Sequence, residues 1–337
     1  MDRVCVNCFS EREIKAFITA QNLKGHCECC GSSDVDTIET TELYDFFSEL
    51  FSNFKKAVDG ETLKAKIQGY WTFFSSLDNA AKIINYIINE IDTDFASADE
   101  KVDFSNDIYD NINYWDILKH QLMWETRYLT DVGYLTEDLG WDSFFGGQII
   151  LGRGSQLYRA RLHHNSNEQP YKEQEMFCPD RAKSTAGRAN ASGIPFLYLS
   201  DNEETILYEI RASFLDEVSI GVFTINDNYD QTVLIADFTE NPTVFHPSKV
   251  SEKIKAMLLK QKISNDLSKP MRRYDSELEY VPTQFICEFI KVYTGVHGIK
   301  FRSSLHTTGN NVVIFNQDIM QCREVNQVKV QKVKINT

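Results

Sequence analysis

The sequence predicts a multidomain protein: a small zinc ribbon or knuckle over residues 1–38, an acidic α-helical region over 39–140, and a C-terminal α+β domain over 150–337. Three observations lead there. Five of the eight cysteines fall within the first 38 residues, in paired spacing. Apolar residues then recur at helical intervals through a strongly acidic stretch. From about residue 150 the pattern changes to short β-rich runs bounded by turn residues, with helical stretches among them. A chain of 337 residues is also longer than one ordinary hydrophobic core requires.

In the first segment, Cys5-x-x-Cys8 and Cys27-x-x-Cys30 are separated by 18 residues, with Gly25 and Gly31 beside the second pair. Two such knuckles can present four thiolates tetrahedrally to Zn²⁺ at about 2.3 Å. Cys29 offers an alternative ligand, but Cys27 keeps the x-x spacing that lets backbone N–H groups point at the sulfurs. Four thiolates close the coordination shell, so the metal is expected to be structural. Ile14, Phe17 and Ile18 recur at helical spacing between the knuckles and can supply a small core. The polar N-terminus, MDRVCVNCFSEREIK, lacks the apolar stretch of a secretory signal, which predicts a reducing, cytoplasmic location. No apolar run is long enough to predict a membrane span.

In the second segment, ELYDFFSELFSNFKKAV places Leu43, Phe46, Phe47, Leu50, Phe51 and Phe54 on one helical face. AAKIINYIINEI and INYWDILKHQLMWETRYL continue the habit, separated by the Asp/Ser-rich DTDFASADEKVDFSND. The aromatics read as helix-packing core. Residues 39–140 carry 20 Asp+Glu against 8 Lys+Arg, so about −12 of the net −14 lies there. Such a surface repels a phosphate backbone, which argues against general nucleic-acid binding.

In the third segment, GQIILGRG, QLYRARL, IPFLYLS, SIGVFTI, TVLIADF and NVVIF read as strands. EETILYEIRASF, SEKIKAMLLKQKI and PTQFICEFIKVY read as helices, the last starting at Pro282-Thr283. Four polar residues follow or interrupt buried-looking runs: Arg159 in LYRAR, Tyr198 in FLYLS, Glu209 in TILYEI and Ser303 in GIKFRSS. Singly, each has a plain structural reading as a salt-bridge or core residue.

Together, LYRAR, GRANASGIPFLYLSDNEETILYEIR, PTQFICEFI and GIKFRSSLHTTGNNVVIF resemble, in order, the RES domain family, named for its Arg, Glu and Ser residues. Where that family carries an Arg-Trp-Asn-Pro-like stretch, this chain reads Arg188-Ala189-Asn190-Ala191. The front resembles the cysteine-rich, helical region found before some RES domains and associated with HEPN and RES proteins. The resemblance implies a fold similar to ADP-ribosyltransferases and an NAD⁺-degrading activity of the kind found in toxins of toxin–antitoxin pairs. It assigns the family arginine to Arg159, the strand tyrosine to Tyr198, the glutamate to Glu209 and the serine to Ser303. Arg161, Arg188 and Ser304 are the neighbouring candidates for substrate contact.

These residue types suit NAD⁺. An arginine offers a planar fork to pyrophosphate oxygens, and a tyrosine ring can stack on nicotinamide. Cleaving the glycosidic bond develops an oxocarbenium-like ribose, which a carboxylate such as Glu209 stabilises. Ser303 is expected to orient the ribose or a phosphate. Water as acceptor gives ADP-ribose, phosphate gives a phosphorylated product, and a protein side chain gives a modified target; hydrolysis is the expected outcome. A host needs protection from such an enzyme, so an antitoxin or regulatory protein, self-assembly into a homo-oligomer, or a trigger such as infection in antiviral defence is expected to restrain it.

Two rival functions have weaker sequence support. A HEPN-type RNase needs Arg-x4-6-His on a helix, but His120 precedes Arg127, and Arg159-x4-His164 begins on a strand. For a zinc-bearing binding module with an inactive RES domain, Lys15, Lys24 and His26 hardly make a basic face near the cysteines, which favours protein over DNA contact. No G-x-S-x-G elbow is present, and the remaining histidines read as surface or core residues.

Overall fold

A computed structural model describes residues 1–145, 148–165, 168–239, 243–269, 277–306 and 308–331. The chain divides into two compact units, 1–114 with 241–259, and 115–240 with 260–337. The seams therefore fall at different places from the expected boundaries near 38 and 140–150. Among the described residues, no helix is long and apolar enough to cross a membrane.

In the first unit, β1 (Arg3–Cys5), α1 (Arg12–Ala20), β2 (Lys24–Gly25) and β3 (Val35–Glu39) build a small module whose sheet runs β1-β3-β2. It is followed by α2 (Tyr44–Ser52), β4 (Phe54–Thr62), α3 (Leu63–Trp71), α4 (Leu77–Glu90), β5 (Lys101–Phe104) and α5 (Asn106–Trp124), the last supplying residues to both units. Phe46, Phe47, Leu50 and Phe51 bury one face of α2, and Ile83, Ile84, Ile87 and Ile88 one face of α4. The side chain of Ser76 caps α4 by accepting from Asn79 N–H at 3.1 Å, and Thr62 caps α3 by accepting from Ala65.

The region is less purely helical than its periodicity predicts. The helix stops at Ser52, where Asn53 Nδ2 donates to Glu49 O at 2.6 Å, and Phe54 opens a strand. That strand pairs with β5, drawn from the Asp/Ser-rich spacer, and the Phe54 and Phe104 rings stack at 5.3 Å. Phe54 fits the helical period, but its partner lies about fifty residues away and overrides the local signal.

The second unit adds α6 (Trp141–Phe144), β6 (Gln148–Leu151), β7 (Leu157–Leu162), β8 (Leu197–Ser200), α7 (Glu203–Glu209), β9 (Glu217–Ile225) and β10 (Val233–Asp237). α8 (Val250–Ser268), which supplies residues to both units, precedes α9 (Val281–Tyr293), β11 (Gly298–Arg302), β12 (Asn310–Ile314) and β13 (Met320–Lys329). The strands form one mixed sheet in the order β13-β9-β7-β8-β12-β11-β10-β6. Only β10 and β11 run parallel.

One seam in this sheet matters for the site. β7 pairs with β9 through six residues but with β8 only at Tyr158↔Ser200. One face of the sheet packs Leu157, Leu197, Leu199, Phe223 and Val312 under Met176. The other receives α7, with Ile206 against Ala160, Val218 and Ile220.

Candidate active site

α7 begins where the Asn202 side chain accepts from the backbone N–H groups of Glu204 and Thr205, and Glu203 and Glu204 complement the positive end of the helix. The helix delivers Glu209 to the ends of β11 and β12. There Ser303 Oγ donates to Glu209 Oε1 at 2.6 Å, and Asn311 Nδ2 donates to the same oxygen at 2.8 Å. Ser303 Oγ itself accepts N–H groups from Leu305 at 3.2 Å and His306 at 3.1 Å. With both its lone pairs engaged, the hydroxyl has one proton to give, and Glu209 receives it. The carboxylate is thus held through Oε1, and Oε2 has no hydrogen-bond partner among the described residues.

In this structure the single proton of the Ser303 hydroxyl is given to Glu209. Ser304 is exposed and lies outside the pair. Sequence reasoning missed Asn311. The available signal was an amide interrupting the otherwise β-forming NNVVIF, on a strand whose next four residues are buried.

Tyr198 stands on β8 opposite Val313. Its Oη donates to Asn190 Oδ1 at 2.8 Å and accepts the Ala189 N–H at 2.9 Å, and burial pushes its phenol pKa well up. Gly187 wraps closely on this phenol: a Cβ there would lie 2.6 Å from Tyr198 Oη. The Gly187–Asn190 loop is therefore built around Tyr198, with Ala189 fully buried. Arg188 turns away from that loop. Its Nη1 donates to Leu267 O at 2.7 Å, and its own carbonyl accepts from Thr283 Oγ1.

Arg159 stands on β7 opposite Gly221, where strand alternation sets it beside Leu157. Its Nη1 lies 3.9 Å from Cys178 Sγ, and burial lowers the guanidinium pKa, offset in part by Cys178 and Tyr198. Arg161, two residues on, lies over the Tyr171 ring at 5.5 Å. Neither arginine has an ion pair with a carboxylate among the described residues. The structure thus joins Glu209 to Ser303 directly. Arg159 and Tyr198 make no hydrogen bond to that pair among the described residues.

The RES domain profile matches residues 156–334, just over half of the chain. The chain belongs to the RES domain family. A chain from the crystal structure of the M. tuberculosis MbcT-MbcA toxin-antitoxin complex aligns with a TM-score of 0.33 and 14% identity, covering 56% of this chain and 92% of that one. No curated protein matches. All four expected site residues, Arg159, Tyr198, Glu209 and Ser303, fall inside the RES domain match.

The front cysteines lie outside the RES domain. Cys5, Cys8, Cys27 and Cys30 bring their Sγ atoms within 4.8 Å of one another. The separations include 3.9 Å for Cys5–Cys8 and 3.5 Å for both Cys5–Cys30 and Cys8–Cys27. A tetrahedral Zn²⁺ with bonds of about 2.3 Å requires sulfur separations of about 3.8 Å, so the donor set fits that metal. Cys29 is not one of the four mutually close sulfurs, although its thiol interacts with Cys8 as well as lying 3.7 Å from Asn79 Oδ1.

Proposed function

We propose that this protein consumes NAD⁺ by cleaving the bond between nicotinamide and ribose, with water as the favoured acceptor. The observation that carries the reading is the Glu209 carboxylate held at Oε1 by Ser303 and Asn311, with Oε2 left for substrate. As the C1′–N bond breaks, its electron pair leaves with nicotinamide and neutralises the ring. Positive charge develops on the ribose, and Glu209 stabilises it while accepting a hydrogen bond from a ribose hydroxyl. Water then bonds to C1′ and loses a proton to solvent or to Glu209, giving ADP-ribose.

Arg159 takes the pyrophosphate in this reading. Arg159 is part-buried and has no carboxylate partner among the described residues, and such a guanidinium is costly unless an anion completes it. Arg161, two residues on, adds to the positive charge there. Tyr198 shapes the pocket through Asn190 and the Gly187 loop. Arg188, bonded to Leu267, supports that loop and is not assigned a direct ligand contact. The four front thiolates hold one structural Zn²⁺, which stabilises the front module and takes no part in the reaction. An enzyme that drains NAD⁺ needs restraint in its host, which favours a toxin or defence effector paired with an antitoxin or regulatory protein.

Incubating the purified chain with NAD⁺ and identifying the products tests this reading. Free ADP-ribose with nicotinamide is the expected result. A phosphorylated ADP-ribose formed only with added phosphate changes the acceptor, and ADP-ribose attached to protein makes the enzyme a transferase. Intact NAD⁺ with a folded protein contradicts the reading.

A further inference from the structure

We propose that His306 is a positioning residue that holds the Ser303–Glu209 pair together; the proposal rests on the reading of Glu209 given above. Thr205, Tyr208 and Glu209 stand at i, i+3 and i+4 of α7 and so share one face of the helix. The chain after β11 grips this face at all three positions. His306 Nδ1 lies 2.7 Å from Thr205 Oγ1. The His306 ring stacks on Tyr208 with centroids 5.1 Å apart and planes 10° from parallel. Ser303 Oγ then reaches Glu209.

The third grip depends on the first two. The His306 N–H is one of the two donors that turn the Ser303 hydroxyl toward Glu209. If the imidazole leaves Thr205 and Tyr208, the turn carrying that N–H loses its anchor and the hydroxyl is free to rotate. Histidine supplies what the position needs: a flat ring for Tyr208 and two in-plane nitrogens, with Nε2 3.3 Å from Thr308 Oγ1. Thr205 is fully buried, and a Cβ at Gly309 would lie 1.8 Å from its Oγ1, so the turn seats directly on the helix. An ordinary surface histidine has no reason to bond a buried threonine and stack at the same time.

The experiment compares His306→Ala, His306→Asn, His306→Gln and Thr205→Val by kinetics and crystallography. His306→Ala should lower kcat on the order of 10- to 100-fold, with KM and thermal midpoint close to wild type. His306→Asn, whose amide occupies the Nδ1 position, should recover most of the loss, whereas His306→Gln, which reaches the Nε2 position, should not. Thr205→Val should reproduce the His306→Ala loss, and the double variant should be no worse than either. In the His306→Ala crystal structure Ser303 should no longer reach Glu209. An intact Ser303–Glu209 bond there, or an unchanged kcat, overturns the proposal. If the wild-type protein leaves NAD⁺ untouched, the reading of Glu209 falls, yet the crystal structures still decide whether His306 positions it. Should His306→Ala fail to fold, Thr205→Val and the Asn/Gln pair carry the same comparison.

Discussion

Glu209 receives two donors on one oxygen, and it is this asymmetry on which its proposed role at a developing ribose cation rests. A carboxylate free to rotate has to be ordered as the charge develops, whereas this one is ordered beforehand. Asn311→Ala removes one donor and should lower kcat by about 10-fold or more, in keeping with about 1.5–3 kcal/mol for a hydrogen bond to a charged group. Steady-state kinetics check it, and an unchanged kcat would remove Asn311 from the site. Arg159→Ala should raise KM sharply while Arg159→Lys fails to restore it, because a lysine cannot reproduce the guanidinium fork. An unchanged KM in Arg159→Ala would shift the phosphate contact to Arg161. Glu209 and Ser303 were singled out by the resemblance of their stretches to the RES family, yet 94 residues separate them and nothing local announces their bond. Asn311 and His306 were not legible. Their importance comes from contacts with α7, about a hundred residues earlier in the chain.

At the scale of elements, two features of different chemistry stand out in the first unit, the four convergent thiols and a buried carboxylate. The paired knuckles were plain in the sequence, since their spacing is itself the requirement for four convergent thiolates. We expect one zinc per chain by elemental analysis; Cys8→Ser should lose it and lower the thermal midpoint, whereas Cys29→Ser should retain it. The second feature is Glu11, a buried carboxylate that accepts the backbone N–H groups of Val244 and Phe245 within the same unit. Burial pushes its pKa up to about 7 from an ordinary 4.5, against the lowering effect of those N–H groups and of Lys253. The folded state therefore holds this proton more tightly than the unfolded state. Its contribution to stability is fully present below about pH 4.5 and is lost as pH rises through about 7. Denaturation midpoints should fall between pH 5 and pH 8 for wild type and stay flatter for Glu11→Gln; parallel curves would exclude Glu11 as the cause. Nothing in the sequence marked this carboxylate, because its partners lie more than 230 residues away. Strands rich in β-branched residues, such as β9 and β10, were readable, whereas β13 was missed. Its run MQCREVNQVK is polar and mostly exposed, and only its long pairing with β9 makes it a strand.

For the whole molecule, the acidic surplus is concentrated in residues 39–140, while Arg159 and Arg161 stand in the near-neutral remainder. Under the proposed function, a small anionic substrate meets these arginines without the protein becoming a general polyanion binder. The three expected segments describe the order of chemistry along the chain, but the compact units cut across it, with 241–259 joining the front residues. Sequence patterning reports local preference, and such a chain crossing is set by packing alone. The most direct test of the account is release of nicotinamide from NAD⁺ by wild-type protein beside Glu209→Ala at equal concentration and verified folding. The account predicts stoichiometric nicotinamide and ADP-ribose from wild type, with at least about a 100-fold loss in the variant. Equal turnover by the two proteins would contradict it.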